Sequence, residues 1–101
     1  MIIDYQHALT GEEAYQRINN HLTLLQERYA DKISDPSFIW DAACTQMNYR
    51  LGFRGYSIHG QITVRDNLVS IEGKLPFMAR LFTGKIEERV RRELDLLFSV
   101  E

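Results

Sequence analysis

Cysteine and proline are scarce: one cysteine and two prolines occur in 101 residues. Cys44 has no partner for an intrachain disulfide, which fits a reducing compartment. No stretch approaches the ~20 consecutive apolar residues that span a bilayer. The start, Met1-Ile2-Ile3-Asp4-Tyr5-Gln6-His7, lacks the basic region and apolar core of a secretory signal. A cytoplasmic protein without a membrane span is expected. An excess of one charge is lacking too. Twelve Lys and Arg against fourteen Asp and Glu leave a formal net charge of −2. No global positive field therefore exists to hold nucleic acid or anionic lipid, although a local basic patch is compatible with that total. Repeats, low-complexity tracts and linkers are absent.

What is present reads as a globular chain, with 45% apolar and 26% charged residues. At this length a division would leave pieces too small to bury a core, so residues 1–101 are expected to form a single α+β domain. A short strand is predicted from Ile2 to His7. Thr10 followed by Glu13 is a capping box, and it opens a helix over residues 11–32. Ala14, Ile18, Leu22, Leu25, Tyr29 and Ile33, spaced three and four apart, form its buried stripe.

Two hairpins can be registered residue by residue. A turn at Asp66-Asn67 sets Val64 against Val69, Ile62 against Ile71, Gly60 against Gly73 and Ile58 against Leu75. The opposite face then pairs Thr63 with Ser70, Gln61 with Glu72 and His59 with Lys74. A turn at Arg54-Gly55 opposes Phe53 and Tyr56, Leu51 and Ile58, Tyr49 and Gly60, and Met47 and Ile62. Apolar meets apolar and polar meets polar throughout, as a correct register requires. A further turn near Cys44-Thr45 adds Ala42, Trp40 and Phe38 to the apolar side. That edge segment carries only the charge of Asp41 and no proline, so nothing in it blunts pairing with a second chain. Gly60 facing Gly73 leaves a gap in the apolar face, open to a helix, to Tyr49 or to a small ligand.

Pro76 is expected to end the last strand, and Phe77 to Phe82 to form a short helical turn. Thr83-Gly84 interrupts it, and a longer helix follows from Lys85 to Phe98 with Ile86, Val90, Leu94 and Leu97 inward. Its Glu87–Arg91 and Glu88–Arg92 pairs are in the favourable i,i+4 orientation. The fold class expected is α+β, a two-layer sandwich ordered β-α-β-β-β-β-α. An antiparallel four-stranded meander and the N-terminal strand carry two helices on one face.

No catalytic constellation stands out. Thr83-Gly84-Lys85 resembles the end of a phosphate loop, but Ala79 occupies the place of the upstream glycine. His7, His21 and His59 lack metal-ligand spacing, so no metal or cofactor is implied. Two surfaces are candidates for contact. Arg50, His59 and Lys74 line the polar face of the sheet, where three potentially cationic side chains suit an anionic group; a solvated face is the ordinary alternative. Phe77, Met78, Leu81 and Phe82 crowd large apolar groups beside a helix break, as either core or an exposed patch.

Three runs carry a family resemblance across nearly the whole chain. They are His7-Ala8-Leu9-Thr10-Gly11-Glu12-Glu13-Ala14, Gly60-Gln61-Ile62-Thr63-Val64, and the helical segment from Gly84 through Lys85, Ile86 and Glu87 to Leu94. Together they resemble the polyhydroxyalkanoic acid system proteins, small bacterial proteins encoded beside polyhydroxyalkanoate synthesis and granule genes. The resemblance implies a tie to storage granules and supplies no catalytic residues. It favours a non-enzymatic accessory protein that binds the granule surface or a granule-associated protein. The alternatives are a hydrophobic or acyl ligand carrier with a pocket between sheet and helices, and a homodimeric interaction module.

Overall fold

Alternating apolar and polar residues build the sheet that organises everything else. The computed structural model describes residues 1–75 and 77–99, and of residues 77–79 the backbone alone. Strands β1 (Ile2–Gln6), β2 (Ile33–Trp40), β3 (Gln46–Phe53), β4 (Tyr56–Arg65) and β5 (Leu68–Lys74) form one antiparallel sheet in the order β1-β5-β4-β3-β2. Helix α1 (Gly11–Arg28) connects the two edge strands, and a 3₁₀ helix (Phe77–Phe82) leads into α2 (Thr83–Leu97). The expected α+β order is observed.

The predicted registers hold. Val64 opposes Val69, Ile62 opposes Ile71, and Gly60 opposes Gly73. On the next ladder Met47 opposes Ile62, Tyr49 opposes Gly60, and Leu51 opposes Ile58. Arg54 and Gly55 both take positive φ, as a tight hairpin turn requires, whereas in the Asp66-Asn67 turn only Asn67 does. The core gathers on this side: Ile3, Val64, Val69 and Ile71 from the sheet, Ala14 and Ile18 from α1, Leu94 from α2, and Phe98. Met47 is also fully buried.

Helix α1 begins at the expected box, with Thr10 Oγ1 accepting from Glu13 N at 3.2 Å and Thr10 N donating to Glu13 Oε1 at 3.4 Å. Asp66 Oδ1 accepts a further helix-start N–H, that of Gly11, at 2.6 Å. The β4–β5 turn is thereby tied to the start of α1.

Several boundaries differ from expectation. Tyr29 is the C-cap of α1, and Ile33 opens β2 opposite Phe53 rather than continuing the helix. The three-and-four spacing through Tyr29 and Ile33 crosses a change of element. β2 consequently begins earlier than expected and includes Asp35 at positive φ, Pro36, and a register shift between Ser34 and Ser37. This edge is blunted after all. Phe38 opposes Tyr49 and Trp40 opposes Met47, which puts both on the expected apolar side, but Ala42 lies in the β2–β3 loop. β5 ends at Lys74, so Ile58 and Leu75 do not pair. The strand stop at Pro76 lies outside the described residues. Thr83-Gly84 starts α2 rather than interrupting a helix.

Candidate functional site

The register that buries one face of the sheet presents the other to solvent. Lys74 opposes His59, and His59 opposes Arg50. The three predicted side chains thus occupy one cross-strand row, which continues to Ser37 on β2. Strands lie about 4.8 Å apart, so this basic row spans roughly 10 Å. Beside it runs a five-strand row of Ile2, Glu72, Gln61, Asn48 and Ile39. Both rows line a groove of about 920 Å³. Ile2 and Ile39, 66% and 64% exposed, mark its two margins. Among the described residues no carboxylate is within ion-pair distance of Arg50, His59 or Lys74. The row offers cationic donors on a wet surface and can hold an anionic group by charge-assisted hydrogen bonds.

The Gly60–Gly73 gap is not open on the helix side. The Tyr49 hydroxyl lies 2.7 Å and 2.8 Å from where Cβ atoms of these glycines would stand, and it donates to the Glu72 carbonyl at 2.9 Å. Burial, then the charge of Glu72, pushes the Tyr49 hydroxyl above its ordinary pKa. The acyl pocket expected as an alternative at this place is filled by protein.

Of the second candidate surface, two side chains stand in solvent. Leu81 is 77% exposed and Phe82 is 55% exposed, while the side chains of Phe77 and Met78 lie outside the described residues. Phe82 also stands at the N-cap of α2, where it makes no side-chain hydrogen bond to the helix. Ser, Thr, Asp or Asn would satisfy an N–H there. The Thr83 hydroxyl donates to the Arg80 carbonyl at 2.8 Å, closing the turn that displays Leu81 and Phe82. Arg80 and Lys85, both exposed, flank this patch, a relationship that the sequence reading of Lys85 as a phosphate-loop fragment did not include. The missing capping residue before α2 was the signal that marks this end of the helix as unusual.

The other two histidines serve structure. His7 Nδ1 accepts from Leu9 N at 3.0 Å, so its proton sits on Nε2, which reaches the Arg65 carbonyl at 3.1 Å. Its ring stacks on Phe98 at 4.7 Å. His21 lies 3.4 Å from Glu93 between the two helices. Cys44, at positive φ in the β2–β3 loop, neighbours Tyr15 and pushes that hydroxyl above its ordinary range. Among the described residues, no three His, Cys, Asp or Glu side chains are grouped to hold a metal ion.

Residues 1–98 match the model of a family described as "Putative polyhydroxyalkanoic acid system protein". No curated protein and no solved structure matches the chain.

Proposed function

This chain belongs to the polyhydroxyalkanoic acid system family, and from that premise we propose that it is a non-enzymatic accessory protein that adsorbs to the storage granule. The contact is made by Leu81 and Phe82, and the setting is the cytoplasmic surface of the polymer. No described helix is long and apolar enough to cross a membrane.

One observation carries the reading. At the start of α1 the sequence supplies a complete capping box, whereas at the start of α2 it supplies an exposed phenylalanine with no cap. Local rules broken without structural return are concentrated at functional surfaces. The magnitude decides the mode of binding. Complete burial of Leu or Phe is worth about 1.5–3 kcal/mol, so from their present exposure the two side chains supply roughly 2–4 kcal/mol. That corresponds to millimolar attachment or weaker. The protein therefore adsorbs reversibly unless a second force assists.

Co-sedimentation with isolated granules tests this. The parent chain should pellet, and the Leu81→Ser/Phe82→Ser variant should stay in the supernatant. A parent that remains soluble with protein-coated and protein-stripped granules alike sinks the reading. Binding only to the coated ones identifies a granule protein as the partner.

A second reading, an interaction module, is favoured by the row of Arg50, His59 and Lys74 over the open groove. On β2, Pro36 and the bulge leave Ser37–Trp40 as the regular part of that edge, so dimerisation through this strand has less room than the sequence suggested. An acidic segment on the open face suits the basic row better. Calorimetric titration with a poly-glutamate peptide should give a salt-sensitive signal that Arg50→Glu removes, and a flat titration at low salt would discard this reading.

A further inference from the structure

We infer that the surface met by Leu81 and Phe82 is an amphiphile layer with anionic headgroups. The two apolar side chains dip into it while Arg80 and Lys85 remain at the level of the charges. The inference rests on the surface-binding reading above and names the chemistry of that surface.

Three features of the same corner of the molecule converge. Arg80 and Lys85 are exposed and bracket the exposed apolar pair in sequence. Lys85 follows Phe82 by three residues, less than one turn, so it lies within roughly 5 Å of it along the axis. Long basic side chains lay their stems along apolar groups and keep their heads in a polar layer. Secondly, these cations are uncommitted. Among the described residues neither is within ion-pair distance of a carboxylate. The nearby acids are already engaged, Glu87 with Arg91 at 3.1 Å and Glu88 with Arg92 at 3.4 Å. The arginine further along, Arg89, donates to the Tyr29 hydroxyl at 2.9 Å. Thirdly, the positive end of the α2 dipole points to this corner, which no carboxylate in the first turn offsets.

The net charge of −2 opposes approach to an anionic layer at long range. Charges beyond about 8 Å are largely screened at physiological salt, so the local cations decide once the surface is reached. Each basic residue close to an anionic layer is worth about fivefold in affinity. Two such residues supply the assistance that two apolar side chains alone lack.

Vesicle sedimentation tests the inference with three probes: phosphatidylcholine vesicles, the same vesicles containing phosphatidylglycerol, and lipid-free amorphous polyester particles. The chain should pellet with the phosphatidylglycerol vesicles, less at high salt, and stay free of phosphatidylcholine alone. Arg80→Ala and Lys85→Ala should each weaken binding about fivefold, and together about 25-fold. Phe82→Ser should weaken it as well. All three side chains are exposed, so each variant should melt with the parent; Phe82→Ser should not melt below it. Equal binding to both vesicle types, or no effect of the two cation substitutions, overturns the inference. Binding to bare polyester that depends on Phe82, with no vesicle binding, overturns it while leaving granule adsorption standing. Binding to none of the three probes overturns the inference, and co-sedimentation with protein-coated granules then decides the adsorption reading separately.

Discussion

The hydroxyl of Tyr49 stands against Gly60 on the neighbouring strand, 2.7 Å from the position a Cβ would take. The tyrosine covers both glycines of an opposed pair and satisfies its own polar end on the Glu72 carbonyl. Aromatic cover over glycine is a recurrent way to fill a hole in a sheet. It also makes the glycine obligatory. A Cβ on Gly60 would collide with the backbone carbonyl of Glu72 as well as with Tyr49, and backbone cannot swing aside. Gly60→Ala should cost roughly 1–3 kcal/mol or more in urea denaturation. Tyr49→Phe keeps the cover and loses one hydrogen bond, so its cost should be only about 1 kcal/mol. A Gly60→Ala protein as stable as the parent would show that the two strands part easily here.

The alkaline limit of stability should follow tyrosine. Partial burial, the hydrogen bond to Asp95 at 2.6 Å and the charge of Asp95 push Tyr5 up to about 12 from 10.0. The folded chain therefore holds this proton more tightly than the unfolded chain does. Its contribution is complete below pH 10 and is lost as pH rises from 10 toward about 12. Tyr49 and Tyr15 are raised too, and their contributions have the same sign. Urea midpoints measured upward from pH 9 should fall through this window. Tyr5→Phe should give a shallower fall, from a starting value about 1 kcal/mol lower. An identical slope in parent and variant would remove Tyr5 from the account.

At the acid end Asp41 acts in the opposite sense. Its carboxylate closes the β2–β3 loop by accepting from Thr45 N at 2.8 Å, Thr45 Oγ1 at 2.9 Å and Gln46 N at 3.2 Å. The Thr45 backbone N–H leads in holding its pKa below the ordinary 3.8, with the other donors assisting. The folded carboxylate thus resists protonation. Its contribution is present above pH 3.8 and is lost as pH falls through the depressed value. Asp41→Ala should lower the melting temperature at neutral pH and flatten its decline at low pH, while Asp41→Asn should retain part of the loop closure. Hydrogen exchange at Thr45 and Gln46 reports the same change locally. Unaltered protection of both amides in Asp41→Ala would refute the role.

The legible parts of the fold were those written in local pattern. Residues 47–73 alternate with a period of two around two short turns, and one wet face makes a one-residue slip costly, so the ladders were fixed in advance. From them followed the alignment of Arg50, His59 and Lys74. Thr10 and Glu13 announced α1 because a capping box is a contiguous signal. Its end was not announced: Tyr29 and Ile33 extend the helical spacing although Ile33 belongs to a strand. Pro36 was missed as an edge device for the same reason, since the strand was started two residues after it. The exposure of Leu81 and Phe82 is a tertiary property, because the same residues read equally well as core. The pairs Tyr5–Asp95 and His21–Glu93 join elements far apart in sequence and leave no local trace.

The His21–Glu93 contact settles how much the two helices depend on charge. Both side chains are 17% exposed, and the facing atoms lie 3.4 Å apart, buried, with neither meeting hydrogen-bond geometry with any partner among the described residues. The other Glu93 oxygen meets Arg28 at 3.4 Å, and Arg89 lies at 3.9 Å. Glu93 is the single acid among three basic groups, drawn from α1 on one side and its own helix on the other. Removing it alone strands the buried His21 nitrogen, while the half-exposed Arg28 and Arg89 turn to water, so Glu93→Leu should cost roughly 1–3 kcal/mol. Replacing both partners by apolar residues removes the need for the pair. His21→Leu/Glu93→Leu should recover part of that loss, because well-packed apolar pairs often equal buried ionic ones. A double-mutant cycle at pH 7 should return a coupling of about 0.5–3 kcal/mol. Strict additivity would mean that the helices are held by Ile18, Leu94 and their apolar neighbours, with the pair contributing nothing of its own.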